Sequence, residues 1–259
     1  MTGARQRIAQ LDPITLDELV AAAAMLTRVD RKYAMSAADA RRALADLPCD
    51  TRVLTMDDSR AFEYESYYFD TPGLLSYRMA ALGRRRRFKL RTRSYLDSKD
   101  AFLELKTRGA RSTTVKERIV YDFDEREILT DDGLEYASAG LAGLGIDDPQ
   151  ALRLQPTLAT RYRRTTLLAP GNGGRTTIDT DLVWELADGT VLELPDLVIV
   201  ETKSGQRTGV VDRLLWAHGV RPEAISKYGT GLAALRPDLP SNKWARVLRR
   251  RFQTAAVAA

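Results

Sequence analysis

The chain has 259 residues, of which 44% are hydrophobic and 29% charged, with a net charge of +5 and a pI of about 9.3. This length supports one large domain or two small ones, and the modest positive charge indicates an anionic partner without identifying it. The single cysteine, Cys49, and the single histidine, His218, exclude a disulfide framework and argue against a zinc site or a Ser-His-Asp triad. Because neither a signal peptide nor an apolar run of membrane-spanning length is recognisable, we expect a cytoplasmic protein.

The first part of the chain predicts two helices separated by a strand. The capping box Thr15-x-x-Glu18 and an apolar stripe predict a helix from Asp12 to Leu26. The segment from Arg28 to Met35 is typical of a strand, and residues 36–48 are predicted as a second helix.

Strands with cations at alternate positions dominate the middle of the chain. An aromatic-rich strand over residues 62–70 is followed by a helix that reaches Ala81 and by the run Arg84–Arg87. Taken alone, this run indicates either a solvated loop or a nucleic-acid patch. In each strand that follows, the cations share one face, since neighbouring side chains of a strand point to opposite sides. These strands are predicted over residues 88–95, 101–107 and 114–121.

The remaining segments predict further strands, the last of which ends in a charged pair. After a mostly helical stretch from Asp122 to Pro149, Gly171–Gly174 is predicted as a hairpin loop. The apolar strand Leu197–Lys203 places Glu201 and Lys203 on one face, where a solvated salt bridge is one interpretation and an ion or phosphate site the other. Other strands are predicted over residues 158–167, 175–182, 183–186 and 190–194.

A boundary at Pro237–Pro240 separates the end of the chain from the rest. We predict a domain over residues 1–239 and a basic amphipathic helix over residues 240–259. One hypothesis has this helix dock on an anionic membrane or on a membrane partner, because clustered arginines accompany its apolar residues. The alternative is a helix packed on the domain's own surface.

The alternating strands predict an antiparallel sheet with helices on its apolar face and cations on the other. An ordinary half-exposed sheet would show the same alternation. If the sheet closes, however, the charged face lines a lumen, which is tolerable only when a polyanion such as a chain of phosphates fills it. We therefore expect an α+β fold built on a closed antiparallel β-barrel of about eight strands, forming a tunnel lined by basic residues and flanked by helices.

The few carboxylates on the charged face are candidates for holding a divalent cation. Magnesium and manganese prefer oxygen ligands, often one or two carboxylates together with phosphate oxygens. Glu201 is the first choice of ligand, and Glu104, Asp179 and Asp30 are weaker ones.

A series of short motifs runs in order from about Arg28 to Ala234. The motifs are Arg31-Lys32-Tyr33, Tyr68-Phe69-Asp70, Lys89-Leu90-Arg91-Thr92-Arg93, Leu103-Glu104-Leu105-Lys106, Lys116-Glu117-Arg118, Pro156 with Arg161-Tyr162-x-Arg164, Thr177-Ile178-Asp179-Thr180, Glu201-Thr202-Lys203 and Ser226-Lys227-Tyr228. The series resembles the VTC domain, the catalytic domain of the vacuolar transporter chaperone polyphosphate polymerase. This domain is placed in the triphosphate tunnel metalloenzyme (CYTH-like) superfamily.

The resemblance implies transfer of the ATP γ-phosphate onto a growing polyphosphate chain, with manganese or magnesium bound by Glu201. The expected partners are ATP and polyphosphate or triphosphate, and not nucleic acid. The residues to which the resemblance assigns catalysis are Lys32, Arg91, Arg93, Lys106, Lys116 and Glu201. The residues implied to contact phosphates are Lys32, Arg91, Arg93, Lys106, Lys116, Arg161, Arg175 and Lys227, with Lys203 as a further candidate and Arg164 as the alternative to Arg161.

One departure bears on the reaction. The hydrolase branch of the superfamily opens with Glu-x-Glu-x-Lys, whereas this chain has Arg28-x-Asp30-x-Lys32. We therefore favour a polyphosphate polymerase. The alternatives are an inorganic triphosphatase, a non-catalytic sensor of polyphosphate or inositol phosphates, and a nucleic-acid binder that uses Arg84–Arg87 and the tail.

Overall fold

The computed structural model describes residues 7–22, 29–108, 114–171, 174–205 and 207–252, together with the backbone of residues 257 and 258. The chain forms two compact units. The first consists of Met1–Phe62, Tyr162–Leu182 and Leu194–Ile225, and the second of Glu63–Arg161, Val183–Glu193 and Ser226–Ala259.

The described residues contain a 12-stranded, mainly antiparallel sheet together with helices. The strands are β1 Asp12–Ile14, β2 Val29–Ser36, β3 Arg52–Leu54, β4 Phe62–Asp70, β5 Arg87–Tyr95, β6 Asp100–Arg108, β7 Thr114–Tyr121, β8 Gln155–Leu168, β9 Arg175–Leu186, β10 Val191–Leu194, β11 Leu197–Ser204 and β12 Val257–Ala258. The α-helices are α1 Leu16–Ala22, α2 Ala37–Ala45, α3 Leu75–Ala81, α4 Asp131–Gly143, α5 Val210–Ala217, α6 Lys227–Leu235 and α7 Ala245–Arg251, and 3-10 turns cover Pro149–Leu152 and Asn242–Trp244.

In the first unit, β11 carries Glu201 and Lys203 and lies between two other strands. It pairs antiparallel with β2 on one side and with β9 on the other, so that Glu201 lies opposite both Lys32 and Thr177. The other face of β11 carries Val198 and Val200, which are buried in an apolar core with residues of α2 and α5. Burial of this apolar face leaves the charged side chains on the remaining face.

A buried carboxylate holds β2, β11 and the start of α5 together. Asp212 is fully buried and accepts hydrogen bonds from the hydroxyl groups of Tyr33 and Thr202 and from the backbone N–H of the residue that caps α5. The guanidinium of Arg31 lies 3.3 Å from the same carboxylate. Because Arg31, Tyr33 and Thr202 alternate along their strands with the charged residues, these contacts orient the charged residues toward the opposite face.

In the second unit, β4 to β7 form a run of neighbouring antiparallel strands. Apolar residues on one face of these strands pack in a core that also includes Ala137 and Leu141 of α4. Gly140 permits the close approach of this helix, since a Cβ at that position would overlap the side chain of Leu105. The cations of β5 and β6 therefore share the opposite face.

The structure does not confirm the closed barrel. The pairing of the described strands runs from β12 to β7, and no pairing in this part of the chain joins those two strands. Most residues of β7 are exposed, among them Lys116 and Arg118. Charged side chains on an edge strand disfavour pairing with a further strand, which accounts for the open edge at β7.

The predicted helices over residues 12–26 and 122–149 differ from the observed elements. Residues Asp12–Ile14 form β1 because they pair in parallel with β3, and the capping box of Thr15 and Glu18 starts a shorter helix, α1. Within the predicted helical stretch over residues 122–149, the structure contains α4, whereas residues 122–130 lie mainly in turns.

Parts of several predictions lie outside the described residues. These parts are Arg28 with the rest of residues 23–28, Asn172 and Gly173 of the hairpin loop, and residues 253–256 and 259 of the tail.

The predicted helix over residues 240–259 is observed as the shorter α7, and Trp244, Val247 and Phe252, in and beside it, are buried. Trp244 and Phe252 are 2% and 7% exposed, and their rings contact Tyr77 and Trp184 of the second unit. This packing favours the hypothesis of a helix on the protein's own surface and leaves the membrane hypothesis without support. Within the described ranges, no helix has both the length and the apolar character needed to span a membrane.

Candidate functional site

The charged end of β11 in the first unit places one carboxylate between two ammonium groups. Glu201 Oε2 lies 2.7 Å from Lys32 Nζ on β2, and Glu201 Oε1 lies 3.2 Å from Lys203 Nζ on the same strand. The side chains of Glu201 and Lys203 are 18% and 17% exposed, so this ion triad is mostly shielded from water. Three of the predicted site residues thus come together, since both lysines contact Glu201.

This environment shifts the pKa values of Glu201 and Lys203. Burial alone would raise the pKa of Glu201, but the ammonium groups of Lys32 and Lys203 lower it well below its usual range. Burial lowers the pKa of Lys203 to about 8; Glu201 opposes this shift, and the neighbouring guanidinium of Arg175 adds to it. Glu201 is therefore ionised at neutral pH and available as an anionic ligand.

The adjacent strand β9 contributes more polar groups to the same face. Arg175 lies opposite Lys203, and Thr177 lies opposite Glu201. The carboxylate of Asp179, also on β9, accepts two hydrogen bonds from Arg164 at 2.6 and 2.9 Å. Asp179 is thus engaged by a planar guanidinium fork, which makes it a weaker candidate for binding a metal than Glu201.

Asp30, the remaining weak metal candidate of the first unit, lies opposite Lys203 on β2. A cavity of about 540 Å³ adjoins this end of the strands and is lined by Lys203, Arg175, Arg207 and Arg213, among others. Its lining also includes Thr202, Ser204 and Asp212, so the cavity lies mainly against the face of β11 opposite Glu201.

The donor set around Glu201 fits a divalent cation that shares its ligands with a phosphate substrate. The hydroxyl of Thr177 is buried and has no hydrogen-bond partner among the residues that the structure describes. Directly opposed residues of antiparallel strands, such as Thr177 and Glu201, have Cβ atoms about 5 Å apart. The described residues contain no group of three or more His, Cys, Asp or Glu side chains arranged around a metal position. Glu201 with the Thr177 hydroxyl would thus supply one or two oxygen ligands, as magnesium sites often do when phosphates and water complete the shell.

In the second unit, one buried carboxylate forms ion pairs with cations of both β5 and β7. Glu104 on β6 is 3% exposed and lies 2.7 Å from Arg91, 2.7 Å from Lys116 and 3.7 Å from Arg93. Burial would raise the pKa of Glu104, but Arg91 and Lys116 lower it below its usual value. Glu104 is therefore a structural anion within a group of predicted phosphate ligands.

Strand register aligns these cations in rows across β5, β6 and β7. Arg91 lies opposite Glu104, which in turn lies opposite Arg118. Lys89, Lys106 and Lys116 form the next row in the same way. Like charges directly opposite each other repel, so an anion bound at this row would stabilise it.

The start of α6 meets this face through Lys89. Lys89 Nζ lies 2.9 Å from the hydroxyl of Ser226, which also caps α6 by accepting the backbone N–H of Gly229. The same ammonium lies over the rings of Tyr68 and Tyr228. Lys227, a predicted phosphate ligand, is the first residue of this helix, where the helix dipole favours anions.

The two arginines considered for β8 have different partners. Arg161, in the second unit, lies 2.6 Å from the buried carboxylate of Glu65 and 3.3 Å from Glu185. Its hydrogen bond to Glu65 raises the pKa of Arg161 above its usual value. Arg164, in the first unit, is the residue bound to Asp179. Both guanidiniums are held by carboxylates, and the choice between them as phosphate ligands stays a prediction.

Several residues of these clusters are absent from the sequence-based site. Arg87 and Lys89 continue the alternation of Arg91 and Arg93 toward the start of β5, and that regular spacing could have identified them. Arg108 lies opposite Arg87 at the end of β6. Thr177 could not have been recognised, because its position opposite Glu201 depends on the pairing of β9 with β11.

Known structures with a similar chain path share little sequence with this protein. A putative adenylate cyclase from Bacillus halodurans is 13% identical, with a TM-score of 0.48, over 77% of this chain and 94% of its own. The PH1819 protein of Pyrococcus horikoshii is 15% identical, with a TM-score of 0.45, over 81% and 98%. A putative adenylyl cyclase from Hippeastrum, described as having a dominant triphosphatase activity, is 15% identical, with a TM-score of 0.40, over 84% and 100%.

The sequence matches no curated protein. A family model, in contrast, covers most of it: residues 27–236 match the VTC domain. This match confirms the resemblance carried by the short motifs between Arg28 and Ala234. The chain therefore belongs to the VTC domain family.

Proposed function

We propose that this protein is a metal-dependent phosphotransferase of the polyphosphate polymerase type, which transfers the γ-phosphate of ATP to a polyphosphate chain. The observation that carries the proposal is the pairing of Glu201 with Lys32 and Lys203 on the charged strands of a VTC domain. Phosphoryl transfer requires cations that position and neutralise phosphates and a metal that bridges their oxygens. This group of side chains can supply both functions.

In the first unit, Glu201 would hold the ion, with the hydroxyl of Thr177 beside it. A magnesium or manganese ion bound there supplies Lewis-acid neutralisation of phosphate charge. The ammonium groups of Lys32 and Lys203 would donate to phosphate oxygens in place of the carboxylate. Arg175, opposite Lys203, extends the same set of donors.

In the second unit, Arg91, Arg93 and Lys116 would bind phosphates. Their common partner Glu104 holds the three side chains on one face before substrate arrives. Arginine presents a planar fork that matches two phosphate oxygens, so preordered guanidiniums bind phosphate with less loss of side-chain entropy. Lys106 lies opposite Lys116 and belongs to the row that Lys89 and Lys116 form with it.

Triphosphate hydrolysis is the second candidate. The cations and the carboxylate serve both reactions, and the reactions differ only in whether a phosphate chain or water accepts the phosphoryl group. The side chains of Lys32, Glu201 and Lys203 keep 32%, 18% and 17% of their surface exposed, so water can reach this carboxylate and act as the acceptor. A non-catalytic polyphosphate sensor is the third.

Product analysis separates these functions. The purified protein is incubated with ATP and manganese, with and without a short polyphosphate primer, and the products are sized on a gel. A ladder of lengthening chains that disappears in Glu201→Gln supports the polymerase, provided that Glu193→Gln, the same change at an exposed strand position, keeps it. Free phosphate without a ladder supports the triphosphatase. Unchanged polyphosphate binding without turnover, in the wild type and in Glu201→Gln, supports the sensor.

A further inference from the structure

The cations on the charged face of β5 and β6 are compensated unevenly. At one end of this face, Glu104 forms ion pairs with Arg91, Arg93 and Lys116 and offsets part of their charge. At the other end, Arg87 and Arg108 lie directly opposite each other. Within the described residues, neither of these two arginines has a carboxylate within ion-pair distance. Two guanidiniums in register on adjacent strands repel, and no carboxylate of the described ranges lies close enough to offset this repulsion.

A third cation lies at the same strand ends. Lys243, which precedes α7, donates a hydrogen bond of 2.7 Å from Nζ to the carbonyl of Ala80. Burial lowers the pKa of Lys243, and the nearby charges of Arg87 and Arg108 lower it further. In the part of the chain that the structure describes, Lys243 likewise has no carboxylate within ion-pair distance. The packed tail therefore adds a positive charge where two are already present.

We propose that Arg87, Arg108 and Lys243 form an additional anion-binding subsite, here called the strand-end cluster, which binds distal phosphates of a linear polyphosphate chain. The proposal rests on the proposed function for the identity of the anion, and on the geometry of β5 and β6 for the existence of the subsite.

The spacing of the cations favours a linear chain of phosphates over a single small anion. Arg87, Lys89, Arg91 and Arg93 occupy alternate positions of one strand, so their side chains follow one another at intervals of about 7 Å over about 20 Å. A monophosphate would occupy one interval, whereas a polyanion with charge on every unit can contact all of them. Arginine forks in the terminal row match the geometry of phosphate oxygens.

Binding measurements with two ligands of different length test the strand-end cluster. The test variant is Arg87→Gln/Arg108→Gln/Lys243→Gln in the full chain. The control is Arg84→Gln/Arg85→Gln/Arg249→Gln, which removes the same charge from exposed positions of the second unit. The ligands are long-chain polyphosphate and tripolyphosphate, titrated without ATP at several salt concentrations.

The test variant is expected to bind long-chain polyphosphate at least about tenfold more weakly than the control, since it loses charge-assisted hydrogen bonds as well as charge. The affinity of the test variant for long-chain polyphosphate should also fall less steeply with salt concentration than that of the control. Tripolyphosphate should bind both variants with the affinity that it has for the wild type. Equal losses in the two variants would overturn the proposal, because net charge alone would then explain them. So would an unchanged affinity for the long chain, or a loss that is the same for single-stranded DNA of similar charge.

Thermal unfolding distinguishes a folding defect of the test variant from the loss of an anion site. Without anions, the test variant should be at least as stable as the control, because removing the strand-end cluster relieves repulsion. Long-chain polyphosphate should raise the midpoint of the wild type more than that of the test variant. The subsite would be rejected if the test variant were less stable than the control and if polyphosphate raised its midpoint as much as that of the wild type. Product ladders from ATP are scored separately, so failure of the polymerase proposal and failure of the subsite give different results.

Discussion

Glu201 and Lys32 lie directly opposite each other on two antiparallel strands, and their side chains form an ion pair of 2.7 Å. The ammonium group of Lys203, two residues further along the strand, lies 3.2 Å from the same carboxylate. The carboxylate therefore has two roles in the absence of ligand: it offsets the repulsion of two partly buried ammonium groups, and it keeps both directed at one position. Occupation of that position by phosphates requires a new partner for Glu201, and a divalent cation fits this need.

This arrangement predicts opposite effects of Glu201→Gln on binding with and without metal. Without metal, tripolyphosphate should bind the variant more tightly than the wild type, because Lys32 and Lys203 have lost their internal anion. The additional affinity that manganese confers on the wild type should disappear in the variant. Calorimetric titration with and without manganese measures both changes, with Glu193→Gln as the control. A variant whose affinity still increases with manganese as in the wild type would exclude Glu201 as the metal ligand.

Glu104 predicts an acid-dependent contribution to stability. Its folded-state pKa is lowered, so its ionisation stabilises the fold above the unfolded-state value of about 4.3, and this contribution is lost as the pH falls through the folded-state value. Glu104→Gln should lower the free energy of unfolding by about 2–3 kcal/mol at pH 7, since it removes the carboxylate that Arg91, Arg93 and Lys116 share, although Lys116 remains partly solvated.

The difference between wild type and Glu104→Gln should shrink as the pH is lowered below about 4. Urea unfolding from pH 7 to pH 3 measures it. Glu117→Gln, at an exposed position of β7, should follow the wild type throughout. A difference that stayed constant over this range would show that the ionisation of Glu104 contributes nothing.

Gly231 in α6 predicts a large effect of one methyl group. A Cβ at this position would overlap the ring of Trp184, which is fully buried and donates a hydrogen bond of 2.9 Å to the carbonyl of Lys227. Gly231→Ala should reduce the free energy of unfolding by about 1–3 kcal/mol through overpacking. Gly143→Ala, also in a helix but with nothing within 4 Å of the added Cβ, should be neutral or slightly stabilising. Chemical denaturation compares the two, and equal stabilities would contradict the packing described for α6.

The packing of the tail predicts that its removal lowers the stability of the protein and leaves membrane binding unchanged. Ending the chain at Leu239 removes Trp244 and Phe252 and exposes the surfaces of Tyr77 and Trp184 on which they pack. The thermal midpoint should fall by several degrees, since burial of each large aromatic side chain contributes about 1.5–3 kcal/mol. The full chain should not sediment with anionic vesicles more than the truncated one does. A truncated protein of unchanged midpoint that had lost vesicle binding would restore the membrane hypothesis.

The sequence alone predicted much of the fold, because alternation of side chains along a strand is a local property. The strand that contains Arg91 and Arg93 and the strand that ends in Glu201 and Lys203 were both recognised in this way, and the family match over residues 27–236 confirms the ordered motifs. Residues 12–14 show the limit of local patterns. They lie beside a good capping box yet form a strand, because β3, distant in sequence, supplies the hydrogen bonds.

What the sequence determined by itself is which side chains share a face, and that charged residues must occupy one face of these strands, since alternation and burial follow from neighbouring residues. What only the tertiary structure decided is which carboxylate serves which cation. The engagement of Arg164 by Asp179, the position of Thr177 beside Glu201 and the lack of a carboxylate near Arg87 and Arg108 in the described residues depend on strand register and on packing of the tail. Register is a property of pairs of strands distant in the chain, and it depends on which faces the core buries and on the turns that join the strands.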